Sequence, residues 1–258
     1  MNRQIATIAY YTLLEALRNR LVWLLLAVAL VAVGLGGFLD QLAITESRQI
    51  QAALVAACAR ACAVFILATF VVTSMLREFN DKGLELVLAL PLPRYAYLLG
   101  KLLGFGAVAV CPALLFGSLM LLYAPPLQAL LWAVSLLCEL WLAAAIGLLC
   151  VVTLRQVMAA LGATMAFYIG ARSITALQAL GSAGAPGPGE SGASHAVIGG
   201  LFDVVGAILP RLDQFTRSEW LVYHNGSLAD LPAILLQSAI FLVLVASAAL
   251  FDLYRKNI

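Results

Sequence analysis

The chain has 258 residues, of which 64% are hydrophobic and 11% charged, and its mean hydropathy is +1.01. Soluble domains carry about 45–50% apolar and about 25% charged residues, so a water-soluble globule is excluded: too little polar surface exists to cover it. The net charge of +2 and the isoelectric point near 8.3 exclude a strongly basic, nucleic-acid-binding surface.

In chain order, the first twenty residues place Ile5, Ile8, Ala9, Thr12, Leu13 and Ala16 at helical spacing, with Arg3, Glu15 and Arg18 elsewhere on the wheel. This predicts an amphipathic helix lying on the membrane interface ahead of the first span. A cleaved leader is not expected, because no small-x-small site followed by a soluble domain succeeds the first apolar run. Crossing about 30 Å of hydrocarbon takes roughly 20 apolar residues in a helix. Runs that satisfy this lie at 21–39, 52–76, 102–123, 127–154, 156–180 and 231–251. The predicted fold is therefore an all-α membrane protein, a single domain of six transmembrane helices. Between the last two runs, residues 181–194 are rich in Gly, Pro and Ser and read as unstructured. The shorter apolar run 196–210 contains Asp203 and the pair Gly199-Gly200, and suits a re-entrant or interfacial segment. Residues 211–230 mix Phe215, Trp220 and Tyr223 with charges, a composition fit for an outer interfacial layer.

Orientation follows from Lys and Arg near the span ends. One side receives Arg3, Arg18, Arg20, Arg77, Lys82, Arg94, Lys101, Arg155, Arg255 and Lys256, while the other keeps only Arg48, Arg211 and Arg217. The first side, with both termini, is expected to be cytoplasmic. The Ala/Leu-rich style points to a bacterial inner membrane, so the glycosylation-type triplet Asn225-Gly226-Ser227 reads as accidental.

The substantial cytoplasmic loop is 77–101, REFNDKGLELVLALPLPRYAYLLGK. Leu84, Val87 and Leu88 repeat at i, i+3 and i+4, enough for two turns of amphipathic helix. Pro91 stops that helix by disfavouring the helical conformation at Leu90, and Pro93 is suited to opening the next one. The loop reads either as a presented lever or as a plain interfacial connector.

The run Glu78, Lys82-Gly83-Leu84-Glu85-Leu86, Leu90-Pro91, Arg94 and Gly100-Lys101 resembles the loop between the second and third spans of ABC-2-type transporter permeases. It departs from that pattern in lacking Thr after Gly83 and in having Leu92-Pro93 where Val-Ser is usual. The amphipathic start, the six spans and the irregular segment before the last one extend the resemblance over nearly the whole chain. The resemblance implies a permease that pairs with a second copy and with two cytoplasmic ATPase subunits. The loop helix would be the coupling helix seated in an ATPase groove, with Leu84, Val87 and Leu88 as its apolar contact and Glu78, Glu85 and Arg94 as polar ones. ATP and magnesium would be held by the partner, leaving no cofactor in this chain. Within the family, the compact loop and N-terminal helix look most like permeases of the copper-enzyme-maturation type, which implies a periplasmic partner.

Three charges fall inside the spans: Arg60, Glu139 and Arg172. Each would cost on the order of 2.5 kcal/mol or more if left facing lipid. At about 1.5 Å per residue all three lie in the outer half of the membrane, near enough to meet. They read either as an ion pair that fixes helix packing or as a polar lining of a substrate path. Gly100 and Gly104 offer a small-xxx-small face for close helix contact.

Other chemistry is weakly signalled. Cys58, Cys62, Cys111, Cys138 and Cys150 all lie in apolar runs and read as packing residues; Cys58 and Cys62 share a helix face without a third ligand nearby. His195 and His224, with Asp203, Asp213 and Asp230, lack metal-ligand spacing. Gly100-Lys101 is followed by Leu and has Tyr95 where a phosphate-binding loop needs Gly, so ATP hydrolysis by this chain, and enzymatic activity generally, is not expected. A gradient-driven secondary transporter is the alternative, although the paired repeats common in that class are not evident. An intramembrane enzyme would need partners for Glu139 that the sequence does not advertise.

Overall fold

In a computed structural model the protein is described over residues 2–42, 47–80, 93–183 and 209–255. These residues form helices α1 (Asn2–Arg18), α2 (Leu21–Leu42), α3 (Ser47–Asn80), α4 (Arg94–Met120), α5 (Pro126–Leu154), α6 (Val157–Ala183), α7 (Ser218–Tyr223) and α8 (Leu231–Arg255). Single 3-10 turns at Leu212–Gln214 and Leu228–Asp230 flank α7. No strand occurs among the described residues. Helices α2, α3, α4, α5, α6 and α8 are long and apolar enough to cross a membrane, so the chain is a multi-pass, all-α membrane protein. In lipid this is the economical solution, because a helix satisfies its backbone donors and acceptors internally.

Helix α5 is the axis of the bundle. Of its membrane window 72% is buried, against 22% for α2, for the described part of α6 and for α8. It packs on α3, α4, α6 and α8, with Trp132, Leu136 and Leu140 fully buried. Small residues permit the close approaches. A Cβ on Gly117 of α4 would press on the Cβ of Ala133, and Gly106 leaves its carbonyl free to accept from Trp141 Nε1 at 3.0 Å. Turns are short where their chemistry is clear. Pro125 and Pro126 start α5, and Arg155 ends it in the left-handed conformation with φ of 51°, its N–H returning to the Val151 carbonyl.

The helices overrun the spans read from hydropathy. Helix α3 has 34 residues, about 51 Å at 1.5 Å per residue, and so exceeds the hydrocarbon thickness. It carries Arg77 and Glu78 in its last turn, and α4 begins at Arg94, not at 102. The expected loop 77–101 is therefore helical at both ends, with Pro93 as the cap at which α4 opens. Likewise α6 runs to Ala183 through the first residues of the Gly-rich tract. The rest of that tract, with His195, and nearly all of the expected re-entrant run, with Asp203, lie outside the described residues.

Helix α1 docks on the N-terminal half of α4. Its predicted apolar face is the buried one: Thr12 and Ala16 are buried, and Ile5, Ile8, Ala9 and Leu13 are half-buried. The small-residue face of α4 receives it. A Cβ on Gly100 would lie 2.9 Å from Ile8 Cβ, and one on Gly104 would lie 2.7 Å from Thr12 Cβ. Glu15 does not sit on the open face, since its Oε2 accepts from Ser74 Oγ of α3 at 2.9 Å. Helix α1 is thus a packed member of the bundle.

Candidate functional site

Two polar assemblies occupy opposite ends of the bundle. At the end away from α1, Ser135 and Glu139 stand one turn apart on α5, and Tyr168 and Arg172 one turn apart on α6, so each pair shares a helix face. Glu139 has no exposed surface. Its Oε1 accepts from Tyr168 Oη at 2.7 Å and from Arg172 Nη1 at 3.2 Å, and its Oε2 accepts from Thr216 Oγ1 at 2.6 Å. Arg60 of α3 joins through Thr216, donating to its carbonyl at 3.2 Å and to its hydroxyl at 3.5 Å. The structure therefore brings Arg60, Glu139 and Arg172 into one network with formal charge +1.

Thr216, which the sequence did not single out, is the hub. It is buried and has φ of 44°, a left-handed conformation unusual for a β-branched residue and costing about 1–3 kcal/mol. Its N–H donates to Ser135 Oγ at 2.9 Å while its hydroxyl and carbonyl serve Glu139 and Arg60. Arg172 Nη1 also donates to the carbonyls of Leu212, at 2.9 Å, and Phe215, at 3.4 Å. The network thus staples the segment ahead of α7 onto α3, α5 and α6. Packing reinforces it. Phe215 and Trp220, expected at an interface, are turned inward and buried with Leu212 and Leu221, whereas Tyr223 is exposed. Arg60 Nε and Asp213 Oδ1 are buried without a hydrogen-bond partner among the described residues.

The remaining sequence candidates at this end have local jobs. His224 caps α7 in the left-handed conformation, and its carbonyl accepts from Gln128 Nε2 at 3.2 Å. Asp230 accepts from the N–H and hydroxyl of Ser227 in a capping box. Among the described residues no group of three or more His, Cys, Asp or Glu side chains gathers as a metal site. All five cysteines are free thiols.

At the α1 end, Glu78 of α3 pairs with Lys101 Nζ and accepts from Tyr97 Oη at 2.6 Å, both on α4. Lys101 is only 4% exposed, and the carboxylate offsets the cost of burying its ammonium. Arg94 donates to the Leu253 carbonyl of α8 at 3.1 Å and lies 6.0 Å from the centre of the Tyr254 ring. Glu78 and Arg94, expected to face an ATPase, are thus also engaged within the chain, fixing the two ends of the 81–93 connection to each other and to α8. Leu84, Glu85, Val87 and Leu88 lie outside the described residues.

No family model matches the sequence, and no curated protein matches it. Glu139 is held by three donors, and Glu78 by an ammonium and a phenol. The first ties a loop to the membrane helices, and the second ties together the helices that bracket a connection.

Of these residues, Ser135 and Tyr168 had a usable signal, each lying four positions before a buried charge on the same helix. Thr216 had none, because its role depends on a contact with Arg60 across the sequence.

Proposed function

We propose that the chain is the membrane-spanning permease subunit of an ATP-binding-cassette transporter. It works as an exporter in a bacterial inner membrane, with both termini and the 81–93 connection in the cytoplasm. Separate ATPase subunits drive it, and two permease copies form the transport unit. The observation that best supports this reading is the mounting of the connection in which the family resemblance lies. Glu78 joins Lys101 and Tyr97 directly across its two ends, and Arg94 carries the join on to α8. A push on residues 84–88 would then be delivered to α3, α4 and α8 together and not be lost in a slack loop. In this reading Leu84, Glu85, Val87 and Leu88 meet the ATPase, while Glu78 and Arg94 transmit its movement. The network of Arg60, Glu139, Arg172 and Thr216 holds the opposite, outward end.

Affinity purification of the tagged chain from its native membrane in a mild detergent tests the proposal. A stoichiometric protein that binds and hydrolyses ATP is expected to accompany it. Recovery of the chain as a functional transporter driven by an ion gradient, with no such protein, would overturn the proposal.

A further inference from the structure

A cleft of about 500 Å³ opens on the bundle surface between α2 and α3, beneath the α1–α2 turn. Its mouth is polar, formed by Asn19 and Arg20, and its body is apolar, with Leu24 and Val28 on α2 facing Phe65 and Phe70 on α3. The threonines in the wall add little polarity. Thr69 Oγ1 donates to the Phe65 carbonyl and Thr73 Oγ1 to the Thr69 carbonyl, so both hydroxyls are spent within α3.

The dimensions fit one leaflet. On α3 the lining runs from Thr73 to Cys62, about 16 Å along the axis at 1.5 Å per residue, and half of a bilayer's hydrocarbon is about 15 Å. The charge pattern fits a lipid head. Arg20 is held at the mouth by a left-handed turn with φ of 54°. Arg18 and Arg77 line the neighbouring polar recess, whose one carboxylate, Glu15, accepts from Ser74, and all three arginines are exposed. No ion pair among the described residues engages them. Basic pockets beside apolar helix grooves favour anionic headgroups.

We propose that this cleft is a binding site for one anionic glycerophospholipid of the leaflet that holds the α1–α2 turn. One acyl chain lies between α2 and α3, and the phosphate sits against Asn19 and Arg20. A second copy of this chain is a poorer occupant. A two-fold axis along the membrane normal keeps each residue at its own depth, so the basic rims of both copies would gather at one level with no carboxylate in the cleft lining to offset them. The site does not depend on how the protein is energised.

The full chain, reconstituted in nanodiscs of equimolar phosphatidylglycerol and phosphatidylcholine with matched acyl chains, is released and weighed by native mass spectrometry. One retained lipid per chain is expected, predominantly phosphatidylglycerol. Arg20→Asn removes the charge while tolerating the left-handed turn, and should lower the preference for phosphatidylglycerol about fivefold. Leu24→Trp fills the cleft and should abolish retention of both lipids, with an unchanged helical circular-dichroism spectrum showing that the bundle is intact. An unaltered lipid preference in Arg20→Asn would overturn the proposal. So would full retention in Leu24→Trp, or a change in subunit number in Leu24→Trp with lipid retention unaffected, which would mark the cleft as a protein contact.

Discussion

Replacing Glu139 by Gln tests how the far-end network is held together. The substitution keeps volume and shape but removes the one negative charge among Arg60, Glu139 and Arg172, raising the formal charge of the network from +1 to +2. Tyr168 and Arg172 can still donate to the amide oxygen and Thr216 can turn its hydroxyl to accept from the amide NH2, so what is lost is the negative charge that offsets Arg172. Glu139 is wholly buried and Arg172 about three-quarters buried, so water offers little relief. Breaking a buried pair from one side costs about 3–5 kcal/mol. For a chain of this size that corresponds to a fall in melting temperature on the order of 10 °C. Thermal unfolding in detergent, followed by circular dichroism, measures it. Adding Arg172→Met to Glu139→Gln should cost much less than Arg172→Met alone, because the partner charge is already lost. A melting temperature for Glu139→Gln within about 2 °C of the parent, an effect below 1 kcal/mol, would refute the reasoning. The network would then not be structural, and altered transport by a stable Glu139→Gln protein would assign it to the substrate path instead.

Other expectations follow from named contacts. Gly104→Leu should push α1 off α4, since even a Cβ there would meet Thr12; a cysteine pair across the two helices should then lose cross-linking while α5 stays protected from hydrogen exchange. Arg94→Ala removes the donor to the Leu253 carbonyl and the charge beside Tyr254, so amide exchange at residues 250–255 should quicken with little change in melting temperature. Thr216→Val keeps the β-branch but loses the hydroxyl that joins Glu139 to Arg60, and should cost about 1–3 kcal/mol in the same unfolding assay.

The membrane class and the six spans were legible because they depend on local apolar content, which a helix in lipid requires at a set length. Their ends were not, since α3 and α4 are helical beyond the hydrocarbon, where Glu78 and Lys101 are polar yet still packed against each other. The meeting of Arg60, Glu139 and Arg172 could be read from depth alone, as buried charges at one level seek each other. Thr216 could not, and neither could the inward turn of Phe215 and Trp220, because aromatic residues among charges suit an interface equally well. Amphipathicity showed which face of α1 would be buried. It did not show that Gly100 and Gly104 would receive that face, because small-residue stripes are common in membrane helices and name no partner.

Site-specific photocrosslinking measures most directly what touches residues 84–88. A benzoylphenylalanine at position 88, activated in the native membrane, is predicted to capture a protein that an azido analogue of ATP also labels. Adding Leu84→Asp should abolish the adduct while the amount of chain in the membrane stays unchanged. Capture of lipid alone, or of this chain alone, with an ATP-labelled partner never recovered, would contradict the account.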